Sequence, residues 1–315
     1  MSRAAAFQMD PIEGINIAGD STFALMLEAQ DRGYTLYEYQ PGALSYLDGR
    51  VRANARPVTV RREKGNHFEA GEYRLIDLGE ETDVIWVRQD PPFDIGYITA
   101  AHLLERVAGE SLVLNDPASI RDAPEKLFVL DFADYMPATL ITRSESEVRD
   151  FLAEHGDIIV KPLHGKGGEG VFRIGKDGQN LSSLVQLYRQ ELKEPFIAQA
   201  FLPAISEGDK RIILVDGEPI GGINRVPAKG EFRSNMVVGG SATKTELTER
   251  EREICAAIGP ELKNRGLLFV GIDVIGGLMT EINVTSPTGL VALDTFDGIN
   301  SAGLIWDAVE VRLRD

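Results

Sequence analysis

The sequence has little of several things, and each scarcity narrows the field. One cysteine, Cys255, among 315 residues excludes an intrachain disulfide framework and suits a reducing compartment. No apolar run approaches the roughly 18 residues that a membrane span needs. The opening stretch MSRAAAFQMDPIEGIN has no apolar signal core, because Gln8, Asp10 and Glu13 interrupt it. A cytoplasmic protein is expected. Basic residues are outnumbered, 33 Lys and Arg against 49 Asp and Glu, for a formal net charge of −16. Such a surface repels nucleic acid and anionic membrane, so neither is an expected partner. An anionic ligand would need a local cluster of Lys, Arg and backbone N–H groups. The four histidines show neither zinc spacing nor the company of a catalytic nucleophile. There is no internal repeat and no low-complexity tract.

What is there is an ordinary globular composition, 43% hydrophobic and 26% charged. The length suits about two domains. The first third reads as an open α/β unit. Strands are expected at Arg3–Met9, Tyr34–Tyr39, Asp83–Val87 and Ser111–Leu114, and helices from Asp20 or Ser21 to Arg32 and over Tyr97–Val107. Asp48–Gly71, polar and Arg-rich, reads as a surface excursion. A boundary near Asn115–Pro124 divides the chain into 1–122 and 123–315. There Asp122 would cap a helix continuing through EKLFVLDF, with Pro124 in its first turn. Beyond it, Ser144 with Glu147 and Thr248 with Glu251 have the spacing of capping boxes. Strands are expected at Ile158–Lys161, Val171–Ile174, Phe196–Gln199 and Lys210–Val215. Asp216–Gly217 and Gly276–Gly277 read as hairpin turns, and Ser301–Arg312 as a closing amphipathic helix.

Two stretches carry chemistry. Residues 161–170, KPLHGKGGEG, match G-x-G-x-x-G by letter. The dinucleotide fingerprint needs a helix to begin inside the loop, and here VFRI follows, so the context is strand–loop–strand. No G-K-[ST] ending makes it a Walker loop. It reads as a flap whose N–H groups close over phosphates; a plain hairpin turn is the competing reading. The second stretch is GIDVIGGLMTEINVTSPTG, residues 271–289. Asp273, Glu281 and Asn283 are oxygen ligands inside otherwise apolar strands, where unpaired charge is costly. Such a set suits magnesium; an Asp273–Arg pair with a solvated Glu281 is the alternative. Glu281 and Asn283 share a face. A two-residue turn would set Asp273 against Thr280 and away from Glu281. The metal reading therefore demands an odd-length, three-residue turn over Gly276–Leu278.

Lys126, Lys161 before the glycine loop, the FIAQAFLP stretch and the Asp…Glu-x-Asn hairpin together resemble the ATP-grasp ligases. MDPIEGINIAGDSTFALMLEAQDRG, VRQDPPFD, NDPASIRDAPEKL, EGDKRIILVDGEP and the 271–289 segment are similar to the bacterial glutathione synthetases, and the resemblance runs through the whole chain. It implies an ATP-grasp fold after an open α/β N-terminal domain, with 123–202 clamping nucleotide, 203–315 carrying the metal hairpin, and 227–242 a lid. It implies ligation of γ-glutamylcysteine to glycine with ATP and magnesium or manganese, in a homo-oligomer, a tetramer. Carried over by residue, Lys126, Lys161, Gly165, Gly167, Gly168, Gly170 and Asp209 would serve ATP. The backbone of Gln199, Ala200 and Leu202 would read adenine. Asp273, Glu281 and Asn283 would hold the metal, and Arg211, Arg225 and lid residue Arg233 would be catalytic. Asn16, Asp20 and Ser21 before the first helix, Arg88 at a strand end, and Ser286 and Thr288 after the hairpin would meet substrate. The sequence departs from the family pattern at His164 and Lys166, which make the flap more basic, and around Gly289–Asp294. Another ATP-grasp ligase, such as a dipeptide or glutamate-adding ligase, and a non-catalytic nucleotide-binding protein are the other readings.

Overall fold

The computed structural model describes residues 3–165, 167–234 and 239–314. Three sheets organise the chain. The first contains β1 (Ala4–Gln8), β2 (Thr35–Tyr39), β3 (Leu44–Leu47), β4 (Arg50–Val60), β5 (Phe68–Ala70), β6 (Arg74–Asp77), β7 (Val84–Val87) and β8 (Leu112–Leu114). Its order is β3-β4-β2-β1-β7-β8, with β5 and β6 also on β4. β2, β1, β7 and β8 run parallel, as an open α/β sheet requires. α1 (Ser21–Asp31) is capped by Asp20, whose side chain accepts from Phe23 N. Helices α2 (Leu78–Glu81), α3 (Ile95–Glu105) and α4 (Pro117–Asp122) complete this part.

Two expectations fail here. Asp48–Gly71 is no surface excursion: β4 takes eleven of its residues and is flanked by strands on both edges. Val51, Ala53 and Ala55 are buried, then Val58 and Val60. The inward set changes parity across Arg56–Pro57, and small alanines between arginines disguise its first half. The second failure is at the boundary. Asp122 ends α4, capped by Asp116, rather than starting a helix. Glu125–Leu127 form a turn, and a 3-10 helix follows at Phe128–Tyr135.

The middle sheet, order β11-β10-β12-β9, holds β9 (Thr139–Thr142), β10 (Ile158–Pro162), β11 (Phe172–Ile174) and β12 (Phe196–Ala200). α5 (Glu145–His155) and α6 (Leu181–Glu191) bury Val148, Leu152, Leu184 and Val185 against Ile158, Val160 and Phe196, a separate small core. The Ser144 side chain caps α5 through Glu147 N, but the Glu147 carboxylate takes the Thr142 hydroxyl, so only half of the capping box forms.

The third sheet, order β15-β14-β13-β16-β17, is antiparallel: β13 (Asp209–Val215), β14 (Glu218–Val226), β15 (Ser241–Lys244), β16 (Phe269–Ile275) and β17 (Leu278–Asn283). α7 (Glu249–Asn264) starts with the complete Thr248–Glu251 capping box. α8 (Leu290–Asp297) and α9 (Ser301–Arg312) close the chain. Alternation along β13 sends Ile212 and Leu214 to one face, with α7 and one side of the first sheet, and Ile213 and Val215 to the other, with α1, α8 and α9. The first and third sheets therefore share both of their cores. One buried amide joins them: Asn115 donates to Phe269 O at 2.8 Å and Val284 O at 2.7 Å and accepts from Phe269 N at 2.9 Å.

The β16–β17 hairpin settles the register question in an unexpected way. The turn is the two-residue one: Ile275 pairs with Leu278 and Val274 with Met279. Gly276 and Gly277 supply its positive φ values of 57° and 77°. Yet Asp273 pairs with Glu281, because a bulge at Thr280 adds the odd residue inside the strand. The requirement that both carboxylates meet is fulfilled; the odd-length turn is not.

Candidate active site

A cavity of about 1230 Å³ lies where the three sheets converge. Parallel β1 and β7 end at Gln8 and Val87, so Asp10, Asn16, Asp20 and Arg88 come to its wall from the carboxyl edge of the first sheet. β10 and the glycine loop face it from the middle sheet, and β13, β14, β16 and β17 from the third.

Cross-strand register builds the charged floor. Asp209 pairs with Arg225, Arg211 with Asp273, and Asp273 with Glu281. Arg211 Nε and Nη2 donate to the two Asp273 oxygens at 2.5 and 3.0 Å. Arg225 Nη2 lies 2.6 Å from Asp209 Oδ2 and 3.0 Å from Asp273 Oδ2. All four are buried. Burial alone would raise Asp273, but the two guanidiniums override it and hold the carboxyl well below the usual carboxylate range. Asp209 goes the other way: burial outweighs Arg225, the Asp273 charge adds to it, and its carboxyl is pushed up to about 6. Asp209 Oδ1 and Arg225 Nε are buried without a hydrogen-bond partner. Gly271 leaves room for Arg211, whose Cδ would lie 3.0 Å from any Cβ there.

Glu281 stands between two buried lysines. Lys126 Nζ is 3.6 Å and Lys161 Nζ 3.8 Å from its Oε1. Lys126 also donates to Gly165 O at 2.7 Å, tying the glycine loop to the floor. Burial lowers the Lys161 pKa, against the pull of Glu281. Asn283 Nδ2 donates to Gly271 O at 3.1 Å, which leaves its carbonyl oxygen as the acceptor. Among the described residues no three His, Cys, Asp or Glu side chains form a metal cluster; the candidate set is two carboxylates and an amide. That set fits a hard cation by donor chemistry. Asp273 is engaged by arginine, as the alternative reading had it, but a carboxylate has about four lone-pair sites and can serve both.

Most other residues expected at the site also line the cavity: Gly165, Gly167, Gly168, Gln199, Ala200, Leu202, Arg233, Ser21, Ser286 and Thr288. Gly170 does not. At φ 66° it is a bend whose carbonyl accepts from the Tyr188 hydroxyl. Lys166 lies outside the described residues, as do 235–238 of the expected lid. His164 stacks on Phe93, ring centroids 5.9 Å apart. The Gln199 side chain donates to Thr139 Oγ1 at 2.8 Å. Ala200 and Phe201 N–H go to Ala138 O and Asp157 O, each within 3.0 Å. The Ser21 hydroxyl accepts from Gly289 and Leu290 N, joining α1 to α8. Arg233 pairs with Glu231 at 2.7 Å and reaches Gly168 O at 3.3 Å.

Three neighbours escaped sequence reasoning. Ser234 is buried and donates to Asp209 Oδ2 at 2.8 Å. Glu125 accepts from the Thr285 hydroxyl at 2.6 Å, and its carboxyl is raised by burial. Its place beside Lys126 was the available signal, hidden by reading EKLFVLDF as helix. Asp10 accepts from Asp90 N at 3.0 Å.

Residues 125–298 match the prokaryotic glutathione synthetase ATP-grasp domain, and residues 4–121 the N-terminal domain of the same family. The chain is 57% identical to the glutathione synthetase of Agrobacterium fabrum, covering 97% of this chain and 95% of that protein. It is 56% identical to that of Mesorhizobium japonicum, covering 98% and 99%. In structure it is similar to D-cycloserine synthetase DcsG, with TM-score 0.69 at 16% identity over 98% of this chain and 100% of that one. A similar likeness, TM-score 0.62 at 16% identity over 100% of both chains, holds to the ATP-grasp ligase PsnB, solved with a precursor variant, Mg and ADP. Fold and site thus define an ATP-grasp ligase. The chain belongs to the prokaryotic glutathione synthetase family, and glutathione synthesis is its activity.

Proposed function

We propose that the chain joins γ-glutamylcysteine to glycine at the expense of ATP, through an acyl phosphate, in the single cavity described above. The observation that carries this is the meeting of Lys126, Lys161, Arg211 and Arg225 around Glu281 and Asp273, on a protein of net charge −16. Asp209, Asp273 and Glu281 partner these four cations, so the site gathers both the cations that suit phosphates and the carboxylates that suit a hard metal ion.

A carboxylate resists amines because oxide is a poor leaving group. Phosphorylation converts that oxygen into a leaving phosphate; the amine adds, and the tetrahedral intermediate expels it. Lys126 and Lys161 hold the nucleotide phosphates as point charges. Gly165, Gly167 and Gly168 bring backbone N–H groups over them, and Gly170 bends the loop. The Leu202 amide, beside the occupied amides of Ala200 and Phe201, faces adenine together with the Gln199 backbone. Asp209 holds Arg225 in place. Arg211 and Arg225 stabilise charge on the transferring phosphoryl and the oxyanion. Asp273, Glu281 and Asn283 would hold magnesium, or manganese, which when bound neutralises phosphate charge. Arg233 and the lid 227–242 close over the site and exclude water. Asn16, Asp20, Ser21, Arg88, Ser286 and Thr288 form the dipeptide end. The domain division at 122/123, a cytoplasmic location and a homotetramer belong to the same reading.

A coupled assay of ADP and peptide formation tests it. Turnover is expected only with γ-glutamylcysteine, glycine, ATP and a divalent cation together. Ligation of D-alanine to itself, with none of γ-glutamylcysteine, would overturn the substrate assignment.

A further inference from the structure

The carboxylates around the cavity are not alike. Asp209, Asp273 and Glu281 each face lysine or arginine. At the first-sheet wall Asp20 caps α1 next to Arg88, whose Nη1 is buried with no acceptor, so that wall lacks an anion. Glu125 is the opposite case. It lines the cavity half-buried, and among the described residues it is in no ion pair. Its backbone is fixed, because Glu125 O accepts from Ile282 N at 3.0 Å. Its Oε1 takes the Thr285 hydroxyl at 2.6 Å, which leaves Oε2 without a donor among the described residues.

The charges around Glu125 place it between the two ends of the cavity. Burial raises its carboxyl and Glu281 adds to this, while Lys126, the Thr285 hydroxyl and Arg211 oppose. On its other side is Tyr97, buried with its hydroxyl unpartnered. Burial raises the Tyr97 phenol, the Glu125 and Asp90 charges add to it, and Arg88 opposes. Glu125 is therefore felt by the phosphate-end cations and by a side chain that also feels Arg88. A carboxyl phosphorylated at the one end, on a substrate held at the other, has its acyl carbon between them.

The amine that attacks this carbon arrives as an ammonium, which has no lone pair. It must lose a proton first. Lysine and arginine cations cannot accept one, and Asp273 and Glu281 are committed to cations.

We propose that Glu125 is the base of the amide-forming step: its Oε2 accepts a hydrogen bond from the ammonium of the incoming glycine and takes the proton as nitrogen attacks. This rests on the substrate assignment above and deepens it. The N–C bond forms, and the C–O bond to phosphate breaks with its electron pair leaving on the phosphate. Of the two protons the ammonium loses, Glu125 takes the first and the departing phosphate the second. Product release returns the Glu125 proton to water.

E125Q keeps the shape and an acceptor for Thr285. Its kcat/KM for glycine is expected to fall at least ~100-fold at neutral pH, the lower end of what a positioned base contributes. KM for ATP and for γ-glutamylcysteine should stay near wild type. The deficit should narrow as pH rises, because more glycine arrives as free amine. Hydroxylamine, largely unprotonated at neutral pH, needs no base and should show little deficit. A deficit equal for both nucleophiles and constant across pH would make Glu125 a structural residue and overturn the inference. Should E125Q not fold, T285V decides: losing a donor to the carboxylate raises its pKa, so the acid limb of kcat/KM for glycine must move to higher pH. An unmoved limb would overturn the inference. Wild-type enzyme that does not join γ-glutamylcysteine to glycine would overturn the proposed function as well. Wild-type turnover matched by E125Q would overturn this inference alone.

Discussion

The Glu281 carboxylate faces Lys126 at 3.6 Å and Lys161 at 3.8 Å, and neither is close enough for a tight pair. A carboxylate held at that distance keeps lone pairs available for a cation. Glu281→Gln keeps the shape and removes the charge. It should cost roughly 100-fold or more in kcat, since metal-borne charge stabilisation amounts to several kcal/mol. Its Tm should stay within a few degrees of wild type; turnover at the wild-type rate would remove the metal role. Asp209 offers a pH test. Its folded pKa, about 6, lies above the ordinary value of 3.8, so the native state binds more protons than the unfolded state between those values. Stability from this group therefore falls as pH rises through that window. Relative to wild type, Asp209→Asn should gain on the order of 1–3 kcal/mol between pH 4 and 6 and change little above 7. Thermal melts across pH 4–8 read the difference, and a pH-independent offset would contradict the raised pKa.

The elements show how local rules and tertiary demands divide the work. The Thr280 bulge is the clearest case: Gly-Gly dictates a tight turn, and the facing of Asp273 and Glu281 demands an extra residue, so it appears in the strand. Thr280 Oγ1 donates to Asp273 O at 3.3 Å at that place. The proposed lid, 227–242, is held among its described residues by Ser234 to Asp209 and Arg233 to Gly168, and at its end by Ser241 and Ala242, which pair with Val226 and Arg225 as β15 joins β14. An acyl phosphate is lost to water unless the site is closed. Arg233→Ala should therefore leave ATP binding largely intact, raise KM for glycine or the dipeptide, and release more phosphate than peptide. A phosphate-to-peptide ratio that stays near one, at the wild-type rate, would make 227–242 an ordinary surface loop.

At the scale of the molecule, the first and third sheets are one mechanical body because β13 contributes to both shared cores. The middle sheet has its own small core, and its contacts with the rest include the Lys126–Gly165 and Arg233–Gly168 bonds, the Lys161–Glu281 pair and the His164–Phe93 stack. If the middle lobe clamps nucleotide as proposed, its independent core lets it do so with little disturbance elsewhere. Ile272→Ala, at the centre of a shared core, should lower global stability by about 2–5 kcal/mol. Val160→Ala should instead loosen the middle lobe, raising amide exchange over 139–200 and KM for ATP while the first and third sheets keep their protection. Uniform loss of protection in Val160→Ala would show that the lobes unfold together.

Much of this protein was decided by sequence alone, and for local reasons. Capping residues, paired glycines and apolar runs act within a few residues, so α1, α5, α7, both hairpins and most strands were legible. So were the site residues expected from the sequence, all of which but Gly170 line the cavity, because their short motifs survive as strings. What stayed hidden depended on partners distant in the chain. β4 is held by four other strands, and its inward face changes parity midway, so no single alternation announces it. Glu125 and Ser234 matter only because Thr285 and Asp209 face them. The unsatisfied nitrogen of Arg88, and the occupied helix end beside it, are facts of burial. Residue types follow from local chemistry, but which charge is left without a partner is a property of the packed whole.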